Sequence, residues 1–424
     1  MPPGFVTGDA TGLAIPADAA GLRAAGPEWL TRAGRAFGAL APDNAVVAMR
    51  DFAAVAEGNS GHKARFAVDY ARDDGLPRTL FVKFSRDFGD AFRDRRRFEL
   101  EPEIRLATLS RHPAFPVAVP RAFFGDFARA SGTGLLITEA IAFGQGAIEP
   151  LRAKCMDHEL ADPLPYYQAL LEAQGRLAGT FLSGRLSPQA ERLFPFDRAT
   201  AEADLPIAQD ADGVRAAVAR LRDFARECPA LLPRTVGSEG FLGRFERDAL
   251  GFVAHQREIR RFLYADRELV GLAHWNTHID NAWFWRDVGG LRCGLLDWGM
   301  VRQMNLAIPV WGCISGAPHE LLLSRLDALL AGYAAAIAAA GGPTIAMDRL
   351  ETHLAGAVML MMLSMMLDLA ALIRARVPDV ALARGPLDPI LRRDPVATGF
   401  LHVATGALLL WEARDFGARL QRLV

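Results

Sequence analysis

The strand signals in this 424-residue chain are crowded into its first third, and the remainder follows a helical period almost to its end. Few architectures accommodate that asymmetry. The stretch VVAMRDFAAVAEGNSG ends in a Gly/Asn/Ser turn, and KARFAVDYA then alternates with Phe66, Val68 and Tyr70 on one face, which reads as a hairpin. TLFVKF is an apolar strand interrupted by Lys83, and PRAFFGDFARA and GLLITEAI are two more strands joined at Ser131-Gly132-Thr133-Gly134. An amphipathic helix opens at Pro27, with proline near its first turn. About five strands therefore precede residue 142. Beyond it, PYYQALLEAQGRLAGTFLSGRL places apolar residues at i, i+3 and i+4, as do the segments after it. The division expected is an N-terminal extension and helix (1–45), a sheet-rich unit (46–142) and a helical unit (143–424), an α+β architecture.

Composition narrows the function classes. Lys+Arg 48 against Asp+Glu 49 gives a formal net charge of -1, which supplies no field for nucleic acid or an anionic membrane. A polyanionic ligand would have to be small and locally held. Four cysteines, Cys155, Cys228, Cys293 and Cys313, are widely spread without a CxxC pair, as expected in a reduced cytoplasmic setting. The first residues lack the basic start and apolar run of a secretory signal. The run from Ala355 to Leu372 is long enough to span a bilayer, but it is Met-rich and has no basic or aromatic girdle. It is expected to be a buried helix, with no membrane partner.

The helical part is interrupted once, between His274 and Trp298, where AHWNTHIDNAWFW and LRCGLLDWGM flank a short glycine turn. Asn281 and Asp297 close the two halves. Both offer oxygen ligands, so on adjacent strand ends they suit a hard cation that in turn grips phosphates. A zinc reading of His274 and His278, four apart, lacks the glutamate of HExxH, and the surrounding loop chemistry argues against a helix. Neither GNSGH nor GCISG matches a nucleophile elbow, and no Walker A or GxGxxG loop is present. Left standing is a set: the turn Gly58-Asn59-Ser60-Gly61, whose backbone N–H groups can lie over phosphates, Lys83 in a strand, a glutamate on the next helix, and the two oxygen ligands.

In this order the set resembles the aminoglycoside-phosphotransferase and choline-kinase-like group, especially its ecdysteroid-kinase-like branch, over roughly residues 27 to 420. The most specific parts are H-G-D-x-H-x-x-N and (I/L)-D-W, matched by His274-Trp275-Asn276-Thr277-His278-Ile279-Asp280-Asn281 and Leu296-Asp297-Trp298. The resemblance implies a bilobal protein-kinase-like fold and an ATP- and Mg2+-dependent phosphotransferase acting on a small-molecule hydroxyl. It implies Asn281 and Asp297 as magnesium ligands, Lys83 as the phosphate-binding lysine, and Glu103, with Glu99 and Glu101 as rivals, as its helix partner. The backbone at Glu139 to Ile141 would be the adenine hinge, His274 and Asn276 would belong to the catalytic loop, and residues 150 to 265, with Asp157, Glu159 and Asp162, would form the acceptor side. One departure is chemical. Asn276 stands where the family has its catalytic aspartate, with Trp275 in place of the glycine, and an amide can orient a hydroxyl but cannot take its proton. The alternative expectation is therefore a nucleotide- or ligand-binding pseudokinase.

Overall fold

A computed structural model describes residues 4–55, 61–154 and 156–423 of the chain. Two short strands, β1 (Phe5–Thr7) and β2 (Ala14–Pro16), pair antiparallel before the first helix, Ala19–Phe37. That helix begins earlier than proline alone suggests. Asp18 caps it by accepting from the Gly21 amide at 2.7 Å, and the backbone then breaks at Gly26 (φ 66°), so that Pro27 opens a second helical segment. The N-terminal hairpin is fastened to the sheet by Asp126, buried, whose carboxylate accepts from Ala10 N (3.0 Å), Thr11 N (2.9 Å) and Thr11 Oγ1 (2.5 Å).

The sheet contains β3 (Val46–Val55), β4 (His62–Tyr70), β5 (Thr79–Phe84), β6 (Ala122–Ala128) and β7 (Thr133–Glu139), in the order β3-β4-β5-β7-β6, with every neighbouring pair antiparallel. Alternation in β5 sends Leu80, Val82 and Phe84 into the core and leaves Thr79, Phe81 and Lys83 on the opposite face. Phe66, Phe124 and Ile137 complete that core with Trp29 and Leu30 of the first helix. The helix Leu100–Leu109 packs against β6 and β7.

A second, larger core lies among the helices after residue 160, centred on Tyr167, Phe245, Trp311, Tyr333 and Leu354. The helices Leu164–Leu182 and His319–Ala339 approach closely because Gly175 and Gly179 have no side chain: a Cβ at Gly179 would lie 2.2 Å from Ile337 O. His319–Ala339 and Pro395–Ala413 are long and apolar enough to cross a membrane by length and composition, and both pack against this core. The stretch expected as one helix through 355–372 is broken instead. Met347–Met361 runs into a π-turn at Met362–Met366, and Leu369–Arg376 continues at a 43° bend. Asp368, at the break, is held by Arg220 through two bonds of 2.8 and 2.6 Å.

Two small antiparallel ladders cross this helical region. β8 (Val270–Ala273) pairs with β11 (Arg302–Asn305), and β9 (Ala282–Asp287) pairs with β10 (Gly290–Leu295). Two loops are thereby brought together: 274–281 between β8 and β9, and 296–301 between β10 and β11.

Candidate active site

Lys83 leaves the sheet on the face away from the core, where its Nζ meets both carboxylate oxygens of Glu103 (2.8 and 3.0 Å) and Oδ1 of Asp297 (2.8 Å). Of the three candidate glutamates, Glu103 is the partner. Glu99 is occupied by Arg96 (2.7 Å), and Glu101 by Arg105 (2.6 Å) and Arg129 (2.5 Å). The bond to Asp297 ties the sheet to a loop 214 residues away in sequence. Burial opposes the charge on Lys83, but the carboxylates of Asp297 and Glu103 outweigh it and hold the ammonium above its ordinary range. The Lys83 ammonium in turn holds the Asp297 carboxyl well below the usual carboxylate range. Both groups are thus kept charged.

Asp297 sits in the left-handed region (φ 60°), a conformation that costs a residue other than glycine of order 1–3 kcal/mol where the surroundings impose it. Its surroundings do so. Leu296 N donates to Asn281 O at 2.8 Å, and Trp298, buried, donates from Nε1 to Leu295 O at 3.0 Å. Because Ala282 is paired with Leu295, Asn281 and Asp297 emerge at the same end of the β9/β10 hairpin.

The loop 274–281 is pinned from inside. His274 is fully buried, its Nε2 hydrogen-bonds Leu296 O at 2.8 Å, and its Nδ1 accepts from Asn276 N at 3.3 Å. Burial pushes its pKa down to about 4, so the ring is neutral and orders the backbone on both sides. Asn281 Nδ2 donates to Asn276 O at 2.9 Å. Two residues that motif reading passed over also hold this loop. Gln174, fully buried, accepts from His274 N (3.3 Å) and donates to His274 O (2.6 Å) and Thr277 Oγ1 (3.1 Å). At Gly312 a Cβ would lie 1.5 Å from Trp275 O, so only glycine lets the loop lie where it does. A lone amide in an apolar helix was the available signal for Gln174. GCISG was weighed only as a serine motif.

Asp157 lies on the side of the loop toward Asp280. Burial raises its carboxyl to about 6, despite a 2.6 Å bond from the Tyr167 hydroxyl, and the charge of Asp280 raises it further. A Cβ at Gly316 would lie 2.8 Å from Asp157 Oδ2 and 3.4 Å from His278 Nδ1, so the two groups converge on this glycine. Of the other acidic residues expected here, Glu159 meets Arg392 at 3.3 Å and Asp162 is exposed.

In the segment expected as the hinge, Glu139 N donates to Arg121 O (2.9 Å) and Ala140 N to Thr79 O (3.0 Å), whereas the Ile141 amide has no acceptor among the described residues. Gly58, Asn59 and Ser60 lie outside the described residues. Gly61, at their border, is in the left-handed region (φ 52°) and a Cβ there would meet Phe84 O at 1.8 Å, which requires glycine.

The oxygens present suit a hard divalent cation. The Asn281 amide nitrogen is committed to Asn276 O, which leaves Oδ1 as the free ligand atom, and Lys83 occupies only Oδ1 of Asp297, which leaves Oδ2. Magnesium takes one or two such protein oxygens and completes its shell with phosphate and water. No cluster of three or more His, Cys, Asp or Glu suited to a metal occurs among the described residues.

The antiparallel sheet with its ion-paired strand lysine and the helical part with its pinned loops thus meet at the Lys83–Asp297 bond. Among solved structures, the chain is similar to a choline/ethanolamine kinase family protein from Mesorhizobium loti (14% identity, TM-score 0.43, covering 88% of this chain and 92% of that one). It is also similar to a microcompartment-associated aminopropanol kinase (12% identity, TM-score 0.41, 91% and 98% covered) and to a Plasmodium vivax ethanolamine kinase (11% identity, TM-score 0.40, 87% and 84% covered). No protein-family model and no curated protein matches the chain. Likenesses at this identity and superposition carry no chemistry, which has to come from the chain's own residues.

Proposed function

We propose that this chain is an ATP- and magnesium-dependent phosphotransferase acting on the hydroxyl of a small molecule. The observation that carries the reading is the position of Lys83 between Glu103 and Asp297. A structural lysine needs one carboxylate. A second one, presented from a loop in a left-handed conformation, makes sense if that carboxylate would also hold a divalent cation. Asn281 Oδ1 and Asp297 Oδ2 would hold magnesium, which supplies charge neutralisation to the phosphates. Lys83 binds the phosphate chain, and the Ile141 amide, without an acceptor among the described residues, would donate to the adenine ring.

Phosphoryl transfer through a loose transition state draws mainly on such positioning and charge, whereas a general base contributes on the order of 10²–10⁴-fold. Asn276 orients the acceptor hydroxyl by hydrogen bonding without accepting its proton. The consequence is a slow kinase. The second reading, a nucleotide-binding module without turnover, is favoured by Asn276 alone.

ATP consumption measured with magnesium across a panel of amino alcohols, sugars and lipophilic alcohols tests the proposal. Acceptor-dependent ADP release supports the kinase. ATP binding with no release for any acceptor favours the binding module.

A further inference from the structure

Directly across the β4/β5 ladder from Lys83 stands Lys63. Paired residues of an antiparallel ladder project to one face with Cβ atoms ~4.5–5.5 Å apart, and like charges so placed repel. The alternation of β4 agrees, for Ala64, Phe66 and Val68 enter the core while Lys63 and Arg65 point the other way. The cleft face of the sheet thus carries two adjacent ammonium groups. Their circumstances differ sharply. Lys83 is neutralised by two carboxylates, whereas the side chain of Lys63, half-buried, has no hydrogen bond or ion pair among the described residues. Burial, and then the Lys83 charge, work against the Lys63 ammonium, while Asp297 and Glu103 favour it from a distance. A cation left unpaired beside another cation lowers stability, so on stability grounds an apolar residue would serve the strand better.

We propose that Lys63 is a second phosphate-binding cation of the cleft, contacting the terminal phosphates of a nucleoside triphosphate beside Lys83. This rests on the nucleotide reading above and adds a contact to it. With Glu103 and Asp297 already answering Lys83, the Lys63 ammonium directly across the ladder is the unpaired charge beside it that a polyphosphate would meet. The same chemistry would suit a phosphate on an already phosphorylated acceptor, so the two sources are separated by competition.

The test is calorimetric binding of ATP, adenosine and inorganic tripolyphosphate to the full chain as wild type, Lys63→Met and Lys63→Arg, together with melting of each ligand-free protein. A charge-assisted bond to phosphate predicts roughly 10–100-fold weaker binding of ATP and tripolyphosphate to Lys63→Met. Adenosine binding is unchanged, Lys63→Arg retains most of the affinity, and tripolyphosphate competes with ATP. Ligand-free Lys63→Met melts at or above wild type, because a like-charge neighbour has gone. Equal ATP affinity in wild type and Lys63→Met overturns the assignment while leaving the nucleotide reading intact. Loss of adenosine binding with a lowered melting point shows a structural lysine and overturns it too. Tripolyphosphate binding that depends on Lys63 yet does not compete with ATP places the phosphate on another molecule, against the proposal. A wild type that binds neither ATP nor tripolyphosphate overturns both readings.

Discussion

The two sides of the candidate site are built by different physics. On the sheet side, charge does the positioning: Lys83 Nζ lies 2.8–3.0 Å from the carboxylates of Glu103 and Asp297, and the charges of Lys83 and Asp297 favour each other in a partly buried setting. On the loop side, neutral groups do it: His274, Gln174, Asn281 and the missing side chain of Gly312 hold residues 274–281 by backbone bonds and close contact. The difference teaches where each side tolerates change. The charged side is complete, while the neutral side keeps its geometry and carries an amide, Asn276, where the proposed reaction would use a carboxylate.

Replacing Asn276 by aspartate attacks that contrast most directly. Because the loop is held by groups other than the Asn276 side chain, Asn276→Asp is expected to fold as wild type and to raise turnover by about 10²–10⁴-fold, the usual worth of a general base. Steady-state kinetics decide it, and unchanged turnover would mean that the proton leaves by another route. A smaller effect is expected at the packing of the same side. Gly312→Ala drives a Cβ into Trp275 O and should destabilise by about 1–3 kcal/mol or more, with ATP affinity less affected than turnover. Thermal melting and kinetics check the two halves of that statement, and a variant as stable as wild type would show that the loop is not wedged against the helix Ala307–Ile314, which carries Gly312.

Much of the sheet side was legible in the sequence, since a lysine in an apolar strand and a following helix rich in glutamate are local patterns. Choosing Glu103 over Glu99 and Glu101 was not, because it depends on which arginines occupy the rivals. Asn281 and Asp297 were recognisable from their spacing and flanking apolar strands. Gln174 and Gly312 escaped because their partners are backbone atoms of a loop about a hundred and about forty residues away, respectively, contacts that leave no periodic trace. Lys63 was read only as one of the polar positions in an alternating strand, and its meaning came from the register that sets it against Lys83. The break at Met362–Met366 was hidden by an unbroken apolar composition, for a π-turn needs no proline or glycine to announce it.

The central claim, a cleft in which Asp297 serves both Lys83 and a nucleotide-bound cation, is tested most directly by melting wild type and Asp297→Ala with ATP, with and without magnesium. The account predicts a magnesium-dependent stabilisation by ATP in wild type that disappears in Asp297→Ala. Stabilisation of both proteins by the same amount, or of wild type equally with and without magnesium, would contradict it.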